Sequence, residues 1–369
     1  MPPARTLRKG NTVSASLRLS RRARTGGVAV ALCLLVAACG SSSKSGSGSG
    51  SVTLNGSGST FQKTFDQVAI AGYKQQNGNV TINYAGGGSG KGKTDLQTKT
   101  VDFAGTDSLI KEADKSKYQG GTVLYFPTVA APVTLSYNVS GLSGLRLSAP
   151  TIAKIFTGKI TTWDDAAIAA DNPNTKLPST HIIAVHRADA SGTTNNFTHY
   201  LTLAGGPDWT LGTGDTVDWP SGTSALAGTG NQGVATTITQ NSGAIGYVDY
   251  SDAVAAKLSF ASIKNSAGDY LAPTLAGASA AVDGATINPD LTYTPLNSAG
   301  AGAYPITAPT WIIVYEKQTD KTKGTALKDF LTYVLNQGQA LAAPANYAKL
   351  PTSLQQKAVA QLNQLQIPA

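Results

Sequence analysis

The residues best equipped for chemistry sit in one octet, His186-Arg187-Ala188-Asp189-Ala190-Ser191-Gly192-Thr193. The apolar run Ile182-Ile183-Ala184-Val185 enters it, and a segment with Phe197, Tyr200 and Leu201 on one helical face leaves it. The octet therefore reads as a loop ending on a helix N-terminus, where unpaired N–H groups and a partial positive charge favour an anion. Ser191 and Thr193 add hydroxyl donors. Arg187 adds a permanent charge with a planar fork of donors matched to an oxyanion, and Asp189 is placed to hold that fork. Taken alone, the octet reads equally well as a surface ion pair beside a capped helix.

Two more stretches shift that balance. Gly56-Ser57-Gly58-Ser59-Thr60-Phe61 follows the strand-like Val52-Thr53-Leu54 and opens a segment with Phe61, Phe65, Val68 and Ala69 at helical spacing. Gly86-Gly87-Gly88-Ser89-Gly90 follows Val80-Thr81-Ile82-Asn83-Tyr84, whose apolar residues alternate as in a strand. Each turn is rich in glycine, which lets backbone approach a ligand closely, and in hydroxyls. Three such strand-to-helix turns point to one convergent anion site.

The elements around these turns follow in order. Seven Lys or Arg and no acid fall in the first 24 residues, and the apolar run 28–38 is too short to span a bilayer, which takes about 20 residues. Val36-Ala37-Ala38-Cys39-Gly40 has the pattern of a lipoprotein cleavage site. Residues 1–38 are thus expected to be a signal peptide, with Cys39 lipidated and residues 39–51 a Gly/Ser tether. The protein is then expected on the extracytoplasmic face of the cell membrane.

Cleavage changes the charge argument. The full chain carries 29 basic and 21 acidic residues, and losing seven basic residues leaves 22 against 21. The basic excess belongs to the leader, so nothing favours a nucleic-acid partner. Cys33 leaves with the leader and Cys39 carries lipid, so no disulfide or cysteine metal site is expected. With only His181, His186 and His199, a histidine metal site is not expected either. No cofactor is expected.

About 318 residues remain, more than one usual core. Residues 101–107, Val-Asp-Phe-Ala-Gly-Thr-Asp, read as a buried strand ending on a carboxylate. Residues 125–137 form an extended run whose Pro127 and Pro132 argue against a central strand and for an edge crossing between domains. Helices are expected after Ser148, at 166–170, at 231–240, and near 325–335 and 353–365. Strands are expected at 243–250 and 311–315, with a second crossing from Tyr304. The stretch 205–230 reads as irregular surface, and 276–300 gives no signal. Alternating β and α elements with two crossings predict an α/β fold of two lobes joined by a two-stranded hinge around a central cleft. Lobe 1 takes 52–130 and 306–369; lobe 2 takes 131–305.

These motifs resemble, in order and over nearly all the chain after the leader, the phosphate-binding proteins of Pst-type ABC importers. The resemblance rests on Gly58-Ser59-Thr60-Phe61, Gly88-Ser89, residues 102–107, the run 155–165 (Ile-Phe-Thr-Gly-Lys-Ile-Thr-Thr-Trp-Asp-Asp) and residues 187–193. It implies a class II periplasmic-binding fold that closes on one phosphate and serves a membrane permease, as a monomer. It implies ligand contacts from the backbone N–H groups of Thr60 and Phe61, from Ser89, Asp107, Arg187 and Ser191, from the Gly192 N–H and from Thr193, with Asp189 orienting Arg187. The chain departs from the pattern at Ser59, where family members carry Ala, and at Ala190. Neither departure removes a donor.

Asp107 is informative because an ionised carboxylate only accepts hydrogen bonds. It fits an anion that still carries a proton, as phosphate does near neutral pH and sulfate does not. A mismatch of buried acceptors can cost several orders of magnitude in affinity.

Three rival readings remain. Residues 87–94, Gly-Gly-Ser-Gly-Lys-Gly-Lys-Thr, fit the nucleotide P-loop pattern, with Lys93 on phosphates and Thr94 on magnesium. An exported location and the unused anion turns weigh against it. A serine hydrolase or phosphatase would pair Ser191 with His186 or His199, but the G-x-S-x-G elbow is missing. A receptor of the same fold for sulfate or molybdate is the third.

Overall fold

The computed structural model describes residues 51–221 and 224–369. The expected leader, Cys39 and all but the last residue of the tether lie outside the described residues.

The chain begins with alternating elements: β1 (Val52–Gly58), α1 (Lys63–Gln76), β2 (Val80–Gly86), α2 (Ser89–Gln97) and β3 (Phe103–Thr106). The long β4 (Val123–Asn138) follows, then β5 (Arg146–Leu147), α3 (Ala149–Phe156) and α4 (Ala166–Asp171). Next come β6 (Ile183–Arg187), α5 (Gly192–Ala204), β7 (Ala225–Gly228), α6 (Gly230–Gln240), β8 (Ala244–Asp249) and α7 (Tyr250–Ala255). Three short strands, β9 (Ser259–Phe260), β10 (Ser262–Lys264) and β11 (Tyr270–Leu271), lead to α8 (Leu275–Asp283). The chain ends with β12 (Thr307–Tyr315), α9 (Lys321–Leu335) and α10 (Thr352–Gln361).

Two sheet regions share β4. One runs β2-β1-β3-β12-β4, the other β4-β8-β6-β7. In the first, β1 is parallel to β2 and β3 while β12 is antiparallel to β3 and β4. In the second, β6 is parallel to β7 and β8 while β4 is antiparallel to β8. The carboxyl ends of parallel strands and the N-termini of their following helices gather where ligands bind in such folds.

Pro127 and Pro132 are tolerated inside the buried β4 because the strand changes partners. Residues 123–132 pair with β12, and residues 133–138 pair with β8. On the flank away from β12, the first half has an isolated bridge, Ala130 to Ala348. A missing N–H there costs no ladder bond.

Helix α1 buries Phe65, Ala69 and Tyr73, four residues apart, against the sheet. Phe61 and Phe65 both meet the Tyr347 ring edge-on, at 6.3 and 6.2 Å. Val68, assigned to the same stripe from the sequence, lies on the exposed face instead. Helix α5 buries Phe197, Tyr200 and Leu201 completely, as its spacing predicts. Asp165 caps α4 by accepting the Ala167 N–H at 2.8 Å. Two expectations are corrected. The run 125–137 lies in β4, a buried strand central between β12 and β8 and not an edge. The stretch 205–230 contains β7, a full sheet member beside β6. The unplaced stretch 276–300 contains most of α8, whose alanines pack without a polar face to mark the helix.

Candidate anion-binding site

Glycines open each turn. Gly88 has φ +89°, and a Cβ there would meet Asp189 Oδ2 at 2.3 Å and the Ala190 carbonyl at 2.5 Å. Only glycine lets the β2–α2 turn lie against the β6–α5 turn, where the Gly90 N–H donates to the Ala190 carbonyl at 3.0 Å.

Arg187 ends β6 with its side chain 1% exposed. Its Nε donates to Asp189 Oδ1 at 2.8 Å, its Nη2 to Asp189 Oδ2, and its Nη1 to Thr193 Oγ1 at 3.2 Å. The fork is held from one side, as the octet predicts. Burial opposes ionisation of Asp189, but the guanidinium and the Gly230 N–H, 2.9 Å away, outweigh it and hold its carboxyl below the ordinary range.

The hydroxyls are turned into donors by filling their acceptor positions. Thr193 Oγ1 accepts from Arg187 Nη1 and from Asn231 Nδ2 at 3.1 Å. Neither partner can accept, so the Thr193 proton is free to point at a ligand. Ser191 Oγ caps α5 by accepting the Thr194 N–H at 3.2 Å, which leaves its proton free in the same way. Thr60 Oγ1 accepts from the Asn231 backbone N–H and side-chain amide, at 3.2 and 3.3 Å.

Asp107 closes the other side, at the end of β3. Ser59 Oγ donates to its Oδ1 at 2.6 Å, and Ser89 Oγ to its Oδ2 at 3.3 Å. Gly192 completes the corner. A Cβ there would lie 2.5 Å from Ser89 Oγ and 2.7 Å from Asp107 Cβ. Burial raises the Asp107 carboxyl, and against the opposing pull of the Ser59 and Thr310 hydroxyls, the Arg187 charge and the Ser89 hydroxyl it still stands at about 6.

A family model, the PBP superfamily domain, matches residues 42–337. The phosphate-binding protein PstS of Xylella fastidiosa is 35% identical over 307 residues, 82% of each chain. Its Methanocaldococcus jannaschii namesake is 38% identical over 305 residues, 77% of this chain and 78% of that one. This chain belongs to the PstS phosphate-binding protein family. A high-affinity periplasmic phosphate-binding protein, solved with phosphate bound at pH 8.5, superposes with a TM-score of 0.69 at 26% identity. The superposition covers 84% of this chain and 93% of that one. The α/β fold is the periplasmic-binding fold of this family.

Within this family member, the residues singled out from the sequence come together: Thr60, Ser89, Asp107, Arg187, Asp189, Ser191, Gly192 and Thr193 all meet at the facing turns. Phe61 differs in detail. Its side chain is core, and its backbone N–H donates to Ser59 Oγ at 3.0 Å. The sequence reading missed Asn231, which is fully buried and bridges Thr60 to Thr193. Its signal was a fourth turn of the same kind, Gly228-Thr229-Gly230, between β7 and α6. It also missed Asn196, whose amide donates to the carbonyls of Asp107 at 2.7 Å and Gly192 at 2.9 Å.

The rival motifs separate. The P-loop-like run is mostly helix, because α2 begins at Ser89, and Lys93 is committed to Ser108, Leu109 and Asp215. His186 stacks on Trp219 at 5.0 Å with its Nδ1 on the Arg187 carbonyl. This imidazole serves the packing of β6 while Ser191 caps its own helix.

Proposed function

We propose that this protein is a receptor for inorganic phosphate that delivers its ligand to the membrane permease of an ABC transporter. One observation carries the reading: a buried carboxylate, Asp107, in a site otherwise built of donors. An anion with no proton would face Asp107 acceptor to acceptor; phosphate brings the proton that makes this a hydrogen bond.

The ligand contacts would be the N–H groups of Thr60 and Gly192, the hydroxyls of Ser191 and Thr193, the Arg187 guanidinium and Asp107, with Ser89 turning its proton from its long bond to Asp107 toward the ligand and the Phe61 N–H beside them held on Ser59 Oγ. Asp189 would keep the guanidinium planar to the ligand. The PstS names of relatives at 34–38% identity support the same reading. Residues 52–130 and 306–369 would form one lobe and residues 131–305 the other, hinged on β4 and the chain entering β12. Cys39 would hold the protein, a monomer, to the outer face of the cell membrane by its lipid.

Calorimetric titration of the purified protein, stripped of bound anion, tests this. Phosphate binding one to one and tightly, with sulfate weak, is the expected result. Equal affinity for both would make it a general oxyanion receptor. Binding of neither, or turnover of a phosphoester, would overturn the proposal.

A further inference from the structure

Ser59 makes the shortest side-chain hydrogen bond given to Asp107. Its Oγ lies 2.6 Å from Oδ1, with Ser59 fully buried and Asp107 3% exposed. The direction of that bond is fixed. Ser59 Oγ accepts the N–H groups of Phe61 at 3.0 Å and Gln62 at 3.4 Å, and a backbone N–H can only donate. The single hydroxyl proton is left for Asp107.

The backbone holds Ser59 in place. Its N–H donates to the Gly105 carbonyl at 2.8 Å, and its carbonyl accepts the Tyr84 hydroxyl at 2.8 Å. The second carboxylate oxygen is held differently. Ser89 Oγ accepts the Asp107 N–H at 3.1 Å and reaches Oδ2 only at 3.3 Å. Oδ1 is therefore occupied by a tight bond and Oδ2 by a loose one.

We propose that Ser59 is a positioning residue for anion selectivity: its hydroxyl keeps Asp107 an acceptor and reserves Oδ2 for the ligand's proton. This rests on the phosphate-receptor reading above. Among the groups around Asp107, the Arg187 charge also favours its ionised form, and the other favourable contributions come from hydroxyls. From α1, Asp66 is driven strongly toward its neutral form, chiefly by burial. From β2, Tyr84 is neutral for the same reason. From β6, the Arg187 charge is shared with Asp189. Asn196 on α5 and Thr310 on β12 are uncharged. Lys111 and His199 line the adjoining cavity of ≈ 490 Å³, and burial lowers the His199 pKa. Donors to an ionised carboxylate favour the ionised form.

The test uses Ser59→Ala, with Ser59→Thr as the hydroxyl-restoring control, in the full chain. Two readouts are taken. The Asp107 carboxyl of the anion-free protein is titrated by carbon NMR, and phosphate and sulfate affinities are measured from pH 5 to 8. Ser59→Ala should raise the Asp107 midpoint by about one pH unit and lower the phosphate-over-sulfate ratio at pH 7 about tenfold. Ser59→Thr should restore both. An unchanged midpoint with an unchanged ratio overturns the proposal. If Ser59→Ala does not fold, Ser59→Cys, a weaker donor, carries the same expectation. Should the parent protein bind sulfate as well as phosphate, the receptor reading fails, while the anion-free NMR titration still decides the role of Ser59.

Discussion

Lys93 Nζ lies 2.6 Å from Asp215 Oδ2, and this ion pair joins helix α2 to the long loop before β7. Both side chains are largely buried, at 13% and 14% exposure. Lys93 also donates to Ser108 Oγ at 2.9 Å and to the Leu109 carbonyl at 3.2 Å. The Asp215 carbonyl in turn accepts the Ser191 N–H at 2.9 Å. One lysine thus ties the turn after β3 to the turn after β6. Lys93→Ala would strand the Asp215 charge, and breaking such a pair destabilises strongly. We expect phosphate release to quicken by about tenfold or more, read by stopped-flow fluorescence. Asp215→Asn should do the same, and the double variant should fall short of the two effects added. A release rate equal to that of the parent would remove the pair from the closed state.

Arg187→Ala should cost phosphate binding about 3–5 kcal/mol, because it would remove the proposed ligand donor and leave the partly buried Asp189 without its guanidinium partner. Arg187→Lys should recover only part, since an ammonium cannot span Asp189 and a ligand with a planar fork. Calorimetry measures both; undiminished affinity in the alanine variant would place the anion elsewhere.

Gly192→Ala should abolish tight binding while leaving the protein folded. The added methyl would sit 2.5 Å from Ser89 Oγ and 2.7 Å from Asp107 Cβ, so the turns after β2 and β3 could not meet the turn after β6. Circular dichroism checks the fold and titration the affinity. Parent-like affinity would mean that the turns do not close as described.

Asp107 makes stability depend on pH in a stated direction. Its carboxyl is raised from the ordinary 3.8 to about 6 in the fold, chiefly by burial, so the folded state holds its proton more tightly than the unfolded chain. Its contribution is fully present below the ordinary carboxylate value and is lost as pH rises through about 6. The loss is about 3 kcal/mol at most. Denaturant melts of the anion-free protein should show this decline between about pH 4 and 6, and Asp107→Asn should flatten it. The same variant places an amide donor where an acceptor stood, and its phosphate-over-sulfate preference should narrow. A decline that persists unchanged in Asp107→Asn would assign it to Asp66 or Asp249, whose carboxyls burial also raises.

Local chemistry was legible in the residues themselves. A glycine-and-hydroxyl turn between a period-two run and an amphipathic run specifies a strand, a close backbone approach and a helix N-terminus, whatever the rest of the chain does. That is why the turns at Ser59, Ser89 and Arg187, the Arg187–Asp189 pair and the Asp107 carboxylate were visible before any fold. The P-loop-like match failed for the same local reason: its pattern fits a helix start with or without a nucleotide. Other features depended on residues far apart in sequence. Whether Pro127 and Pro132 fit inside β4 depended on which flank its partners left empty. β7 became a strand because β6 offered it an edge. Asn231 became a bridge because α6 brought it within 3.3 Å of Thr60, 171 positions away. Ser59 met Asp107 because β1 and β3 pair side by side, and Lys93 met Asp215 only once both sheet regions had formed around β4. Side-chain type and spacing act over a few residues and can be read directly; hydrogen-bond direction, burial and charge pairing are set by what the fold packs alongside, and these decide which of the available donors and acceptors face one another.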